Sequence, residues 1–297
     1  MDVSVIIVNY NALRLTSECL DTLFAQTKGV DFEVIVVDNG SQDGSSEHLR
    51  RDERITFVSS PENIGFGRAN NLGLSHARGK YVFFLNNDTL VLNDAVSLFH
   101  EYMEGAPPHV ACAGCLLCDT QGHRVHSFGA LPTMRACLVR ETAVGAVLRR
   151  LGWRDRHLDN PPRVVEGEPF PVGYVTGAAL FVRRSVIEAL GAFDPDFFMY
   201  YEDAEMQKRY AEQGYVSHVL ATPHICHLHG ASSKGHKPLR KYAMCHVSCL
   251  IYHRKHSSPA RFALFRVAFL ALCLLVVLYP NDSWAGKRAY FRKIFSA

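Results

Sequence analysis

Acidic side chains are nearly missing from the last part of this chain. Residues 234–297 hold twelve Lys/Arg against the single acid Asp282, whereas residues 1–233 hold 20 basic and 28 acidic residues, so the net charge of +3 hides an acidic body and a basic tail. Charge is modest throughout, at 21% against 48% hydrophobic residues, which excludes a disordered chain and fits one large α/β domain or a core with an appendage. No signal peptide is legible, because "MDVSVIIVNYN" enters a strand pattern at once; with nine cysteines, the expectation is a reducing cytosolic setting rather than a disulfide framework. "VNYNALRLT", after the first strand-like run, lacks the glycine- and basic-rich triphosphate loop of a nucleotidyltransferase. Cys112, Cys115 and Cys118 repeat at metal-ligand spacing but lack an obvious fourth ligand, and they read as small hydrophobes in an apolar run.

What is present alternates. Runs 3–10, 32–39, 55–60 and 81–88 are β-branched or aromatic and of buried-strand length, while stretches near 13–26, 44–51, 66–77 and 93–104 carry helical spacing of Leu, Phe and Ala. The pattern predicts a mostly parallel sheet flanked by helices, in which ligands are met beyond the carboxyl ends of the strands. Three of these runs end in polar residues: Asn9 and Asn11 around Tyr10, Asp38 with Asn39, and Asn86-Asn87-Asp88.

Each of those ends has a chemical reading and a plain one. "VDNGSQDGS" (37–45) suits a ribose or base edge, yet Asn-Gly and Asp-Gly are also ordinary turns. "PENIGFGRANNLG" (61–73) sets Asn63, two glycines and Arg68 at a helix start, where a diphosphate is well held. Asp88 is a hard oxygen donor, better matched to Mg²⁺ or Mn²⁺ than to zinc. In "FFMYYEDAEMQKRYAEQGY" (197–215), Asp203, Met206, Gln207 and Tyr210 fall at helical spacing, and Glu202-Asp203 is also a favourable helix start.

Taken together, "VSVIIVNYN", "VIVVDNGSQDGS", "ENIGFGRANNLG", "FFLNNDT", "GAALFVRR", "FDPDFFMYYEDAEMQKR" and "HLHGASS" resemble glycosyltransferase family 2, in its bacterial rhamnosyltransferase-like branch, from residue 3 to about 256. The resemblance implies a glycosyltransferase A type fold, with a nucleotide-sugar-binding half over 1–110 and an acceptor-binding, catalytic half over 111–256. It implies inverting transfer from a nucleotide diphosphate sugar to a hydroxyl of a glycan or lipid-linked acceptor, with Mg²⁺ or Mn²⁺, in cell-surface polysaccharide synthesis. Carried over by residue, Asn9, Tyr10 and Asp38 lie on the base and ribose side, with Asn63, Arg68, Asn86, Asn87, Gly177 and Glu202 among the substrate contacts. Asp88 and His227 are the metal ligands, with His229 as the alternative histidine, and Asp203 is the base, kept ionised by the metal and the helix start. Many relatives carry Asp where this chain has Asn86, so Asp88 becomes the principal ligand of its motif. The donor expected is dTDP-rhamnose, with a UDP-hexose or UDP-galactofuranose as alternatives; an inactive nucleotide-sugar-binding adaptor is the reading from another class.

Residues 257–297 form the tail. Between Phe262 and Tyr279 only Arg266 is charged, with basic residues on both flanks, which predicts a helix lying at the inner face of the cell membrane rather than crossing it, and no role for nucleic acid. A buried core helix is the plain alternative.

Overall fold

The computed structural model describes residues 1–142, 168–228, 238–275 and 283–297. In chain order these form β1 (Val3–Asn9), α1 (Leu13–Gln26), β2 (Phe32–Asn39), α2 (Ser45–Leu49), β3 (Thr56–Ser60), α3 (Phe66–Leu74), β4 (Tyr81–Asn86), β5 (Thr89–Val91), α4 (Ala95–Gly105), β6 (Val110–Cys115), β7 (Phe128–Gly129) and α5 (Met134–Arg140). There follow β8 (Phe170–Val172), β9 (Tyr174–Val175), β10 (Ala179–Arg183), α6 (Arg184–Leu190), α7 (Glu202–Glu212), β11 (Val216–Leu220), β12 (Ile225–His227), α8 (Pro238–Lys255), α9 (Pro259–Cys273) and α10 (Trp284–Phe295). The chain divides into two compact units, the first Met1–Ala130, Pro162–Pro195 and Asp203–Lys234, the second Leu131–Pro161, Asp196–Glu202 and Gly235–Ala297.

The first unit is built on an eight-stranded sheet in the order β3-β2-β1-β4-β10-β6-β11-β8. β3, β2, β1 and β4 run parallel, β10 is antiparallel to both β4 and β6, β11 is parallel to β6, and β8 closes the edge antiparallel to β11. The strands are apolar on both faces because helices cover both. Val5, Ile7, Val36, Phe83 and Leu85 pack with Leu20 and Leu23 of α1 and Phe99 and Met103 of α4. Their neighbours Ile6, Ile35, Val37, Val82 and Phe84 pack with Ala69 of α3, Ile187 of α6 and Met206 and Tyr210 of α7. Near-continuous hydrophobic strands are what a parallel sheet buried on both faces requires.

This layering explains the cysteines of β6. Cys112 joins one face of the sheet and Cys115 the other, so their thiols cannot meet on one metal. Burial drives the Cys112 thiol up to about 12, the mark of an inert small hydrophobe. Arg183 is likewise structural: its guanidinium donates to the carbonyls of Val110, Met103 and Ala106 and to Tyr81 Oη, closing the carboxyl end of α4. Its neighbour Arg184 donates to Ala77 O and pairs with Glu188.

The second unit is helical. Thr133 accepts from Ala136 N–H to start α5, Pro259 stands in the first turn of α9, and Ser283 accepts from Gly286 N–H to start α10. Phe265, Phe269 and Cys273 recur every four residues along α9 and pack with Cys249 and Leu250 of α8 and Tyr290 and Ile294 of α10. The far side of α9 leaves Leu264 75% and Val267 69% exposed. Residues 257–273 and α10 thus share one core with α8, and among the described residues no helix is long and apolar enough to cross a membrane. The expected apolar run continues over 276–279, which lie outside the described residues.

Candidate active site

The parallel register sets the ends of β1, β2 and β4 side by side, and the polar residues of the sequence meet there. Asn9 lies opposite Asp38 and Val8 opposite Asn86. Asn9 Nδ2 donates to Asp38 Oδ1 at 2.8 Å and to Ser41 Oγ at 3.0 Å, while Asp38 Oδ2 accepts the Ser41 N–H at 3.2 Å. Thr16 Oγ1 donates to Asn9 Oδ1 at 2.7 Å and accepts from Asn87 Nδ2 at 2.9 Å. One relay therefore runs Asn87–Thr16–Asn9–Asp38–Ser41, largely out of water, where each unmade hydrogen bond would be costly. It fixes Asp38 and absorbs the side chains of Asn9 and Asn87; Thr16 and Ser41 are members that the sequence pattern did not single out. Tyr10 stands outside it, 40% exposed, followed by Asn11 in the left-handed region at φ 51°.

Asn39 ties the next loop to the sheet. Its Oδ1 accepts from Ile64 N–H at 2.9 Å and its Nδ2 donates to Asn63 Oδ1 at 3.2 Å. Gly40 follows at φ +79°, and a Cβ there would lie 2.6 Å from the Glu62 carbonyl carbon, so only glycine lets the two loops approach. Arg68, exposed on the first turn of α3, donates from Nε to Pro195 O at 2.6 Å.

Asp88 and His227 are brought together by a ladder between elements far apart in sequence. β5 pairs antiparallel with β12, Thr89 opposite His227, and Leu228 N–H donates to Asp88 O at 2.8 Å. His227 Nε2 lies 3.2 Å from Asp88 Oδ1 and 3.4 Å from Asn86 Nδ2. A neutral imidazole nitrogen cannot donate to the carboxylate and accept from the amide together, whereas a cation suits a carboxylate and an imidazole lone pair at once. The donor set therefore fits a divalent ion of the Mg²⁺ or Mn²⁺ kind, with one carboxylate fewer than an Asp at position 86 would give. His229 lies outside the described residues.

Asp203 comes in from the other side of β4. Asn86 N–H donates to Ala178 O, and the adjacent Gly177 N–H donates to Asp203 Oδ2 at 2.9 Å. A Cβ on Gly177 would lie 3.0 Å from Phe66 Cε1, tight against a packed ring. Asp203 Oδ1 accepts from Ala204 N–H at the start of α7, and Gln207 one turn on holds both the N–H and the carbonyl of Val175. Beside Gly177, the buried Thr176 hydroxyl has no hydrogen-bond partner among the described residues. Burial raises the Asp203 carboxyl above the ordinary aspartate range, opposed by the Gly177 and Ala204 N–H groups and by His126. Desolvation thus acts against the N–H groups of the helix start at this carboxyl. Glu202, the first residue of α7, is 6% exposed. In the second unit, Tyr200 and Tyr201 just before it sit at φ 72° and 68°, a strained backbone for two bulky residues.

A mixed, mostly parallel sheet flanked by helices, with polar residues gathered at strand ends and a carboxylate–imidazole pair beside them, defines an α/β domain whose ligand edge lies at the carboxyl ends of its strands. The comparisons place it more closely. Residues 4–142 match the family model "Glycosyl transferase family 2", so the chain carries a domain of that family and is a glycosyltransferase. A Mycobacterium tuberculosis "N-acetylglucosaminyl-diphospho-decaprenol L-rhamnosyltransferase" is 26% identical over 241 residues, 74% of this chain and 73% of that protein. The Myxococcus xanthus "O-antigen biosynthesis protein RfbC" is 27% identical over 244 residues, 78% of this chain but 18% of the relative. Among solved structures, a mannosyltransferase from Pyrobaculum calidifontis in complex with GDP-Man and Mn²⁺ superposes with a TM-score of 0.57 at 20% identity, covering 97% of this chain and 77% of that one, and supports the glycosyltransferase A type fold.

Proposed function

We propose that this chain catalyses inverting transfer of a sugar from a nucleotide diphosphate donor, dTDP-rhamnose first, to a hydroxyl of a glycan or lipid-linked acceptor in cell-surface polysaccharide synthesis. The observation that carries the reading is the Asp88–His227 pair, held by the β5–β12 ladder beside the ends of β1, β2 and β4. The rhamnosyltransferase from M. tuberculosis supports the choice of sugar and a lipid-linked acceptor. Asp38, fixed by Asn9 and Ser41, takes the ribose and base side, with Tyr10 and Asn63 beside it. Asp88 and His227 would hold a divalent cation, which when bound neutralises charge on the departing diphosphate. Asp203 takes the proton of the acceptor hydroxyl as the new bond forms on the face of the sugar opposite the leaving group. Its two N–H partners orient the carboxylate, and Thr176 and Gly177 border it.

The test is donor turnover, with and without acceptor, across dTDP-rhamnose, UDP-hexoses and UDP-galactofuranose. Chelation is expected to abolish turnover and added Mn²⁺ or Mg²⁺ to restore it; Asp88→Ala should stay inactive with metal present. Full activity in EDTA overturns the metal assignment, and binding without any turnover favours an adaptor.

The same proposal includes peripheral attachment to an anionic membrane by the second unit. Leu264, Val267, Leu274 and Trp284 are exposed, in company with the exposed Arg261, Arg288, Arg292 and Lys293. Because α9 and α10 supply the core of this unit, point changes are a cleaner probe than truncation. Leu264→Glu with Val267→Glu should release the protein from anionic vesicles without unfolding it; unchanged sedimentation with vesicles overturns the assignment.

A further inference from the structure

A second cluster of ligating side chains lies within the helical unit. Cys137 of α5 and Cys249 and His253 of α8 are 3%, 0% and 3% exposed, and one ligand atom of each falls within 4.8 Å of the others. His253 Nε2 is 3.2 Å from Cys137 Sγ. The two α8 residues are four apart, so both project from one face of the helix onto α5. Around them, Tyr201 Oη lies 3.3 Å from Cys137 Sγ and donates to Glu141 Oε1 at 3.4 Å, and Cys245, a turn before Cys249, donates to Glu141 Oε2 at 3.2 Å. Phe265 lies edge-on to His253, with 4.6 Å between ring centroids.

We propose that Cys137, Cys249 and His253 bind a structural zinc ion that pins α5 to α8. Zinc bonds of about 2.3 Å to sulfur and about 2.0 Å to nitrogen put tetrahedral ligand atoms roughly 3.5–3.8 Å apart, so this triad, within 4.8 Å, needs to close by no more than about 1.3 Å. Two thiolates and an imidazole are soft to borderline donors, unlike the hard set at Asp88 and His227, so the two sites select different ions. Binding releases the two thiol protons to solvent and leaves His253 neutral. Glu141, Tyr201 and Cys245 form the polar ring from which the fourth position is filled and the ligands are oriented. Burial of all three main ligands makes the site a staple rather than a reactive thiol.

The full chain, purified with a phosphine reductant and no chelator, is expected to carry about one zinc per molecule after a wash that strips weakly held Mg²⁺ or Mn²⁺. Replacing the zinc with Co²⁺ should give a thiolate-to-cobalt charge-transfer band and the visible bands of tetrahedral cobalt. Asp88→Ala should keep both zinc and band, since the hard site has no thiolate. Cys137→Ser and Cys249→Ser should lose most of the charge-transfer intensity, and His253→Gln the tetrahedral pattern. Should these variants fail to fold, the wild-type cobalt spectrum decides alone. Folded wild-type protein with no zinc and no cobalt–thiolate band overturns the proposal, as does a Cys137–Cys249 disulfide found by mass after purification under reducing conditions.

Discussion

The two units handle buried polar groups in opposite ways. In the first, the polar side chains of the ligand edge gather at strand ends, where register dictates who meets whom: Asn9 opposite Asp38, Thr89 opposite His227. In the second, they sit inside the helix packing itself, as with Cys137, Cys249 and His253, or His246, whose Nδ1 lies 2.7 Å from Tyr290 Oη. Strand-end groups border space that a ligand can occupy, whereas groups within a helical core can serve only one another or a buried ion. The difference teaches that the first unit is organised for exchange with a substrate and the second for permanence.

The sharpest way to break that comparison is at Asp203. Asp203→Asn is expected to cut transfer by about 10²–10⁴ at saturating acceptor while leaving donor and metal binding as in the wild type. More than about a tenth of wild-type transfer would remove the assignment as base. The pH behaviour gives a second reading. A carboxyl raised by burial binds its proton more tightly in the folded than in the unfolded protein, so its ionisation costs stability as pH rises from the unfolded value through the raised folded one. Transfer should therefore climb through a limb lying above the ordinary aspartate range, measured as kcat/KM against pH, while stability falls over the same window. The Asn variant should lose that downward slope in denaturant titrations.

The helical core comes next in size. Phe269, fully buried between α8, α9 and α10, should cost about 3–5 kcal/mol when changed to Ala, with the second unit losing protection in hydrogen exchange. A loss under about 1 kcal/mol would mean that α9 is not a core helix.

The smallest effect expected is at the relay. Asn9→Ala strips Asp38 and Thr16 of partners and should cost about 1–3 kcal/mol in stability. It should also weaken nucleotide binding, read by calorimetry, because Asp38 loses its fixed orientation. Asn9→Asp is the sharper variant, since it sets a second carboxylate against Asp38; nucleotide binding left untouched by both would make the relay purely structural.

Much of the first unit was legible because its information is local. Apolar runs of strand length alternating with helical spacing placed β1 to β4 and α1, α3 and α4 close to their observed bounds, since a strand buried on both faces has little choice of composition. Polar residues at the ends of those runs marked the ligand edge for the same reason. The Asp88–His227 pairing was reached by resemblance alone, because the two residues lie 139 positions apart and are brought together by the β5–β12 ladder. Thr16 was invisible as a member of the relay, since its spacing in α1 is that of any inward-facing helical residue. The zinc cluster was missed for a related reason. The conspicuous cysteine repeat was at 112, 115 and 118, but a strand sends neighbouring side chains to opposite faces, while Cys249 and His253 share a helix face and find Cys137 only through packing. The sequence by itself determined the layered α/β body, its ligand edge and the basic, apolar character of the last helices. Only the tertiary structure decided which distant side chains meet, and that burial acts against the helix start at Asp203, because both depend on what surrounds a group in space rather than along the chain.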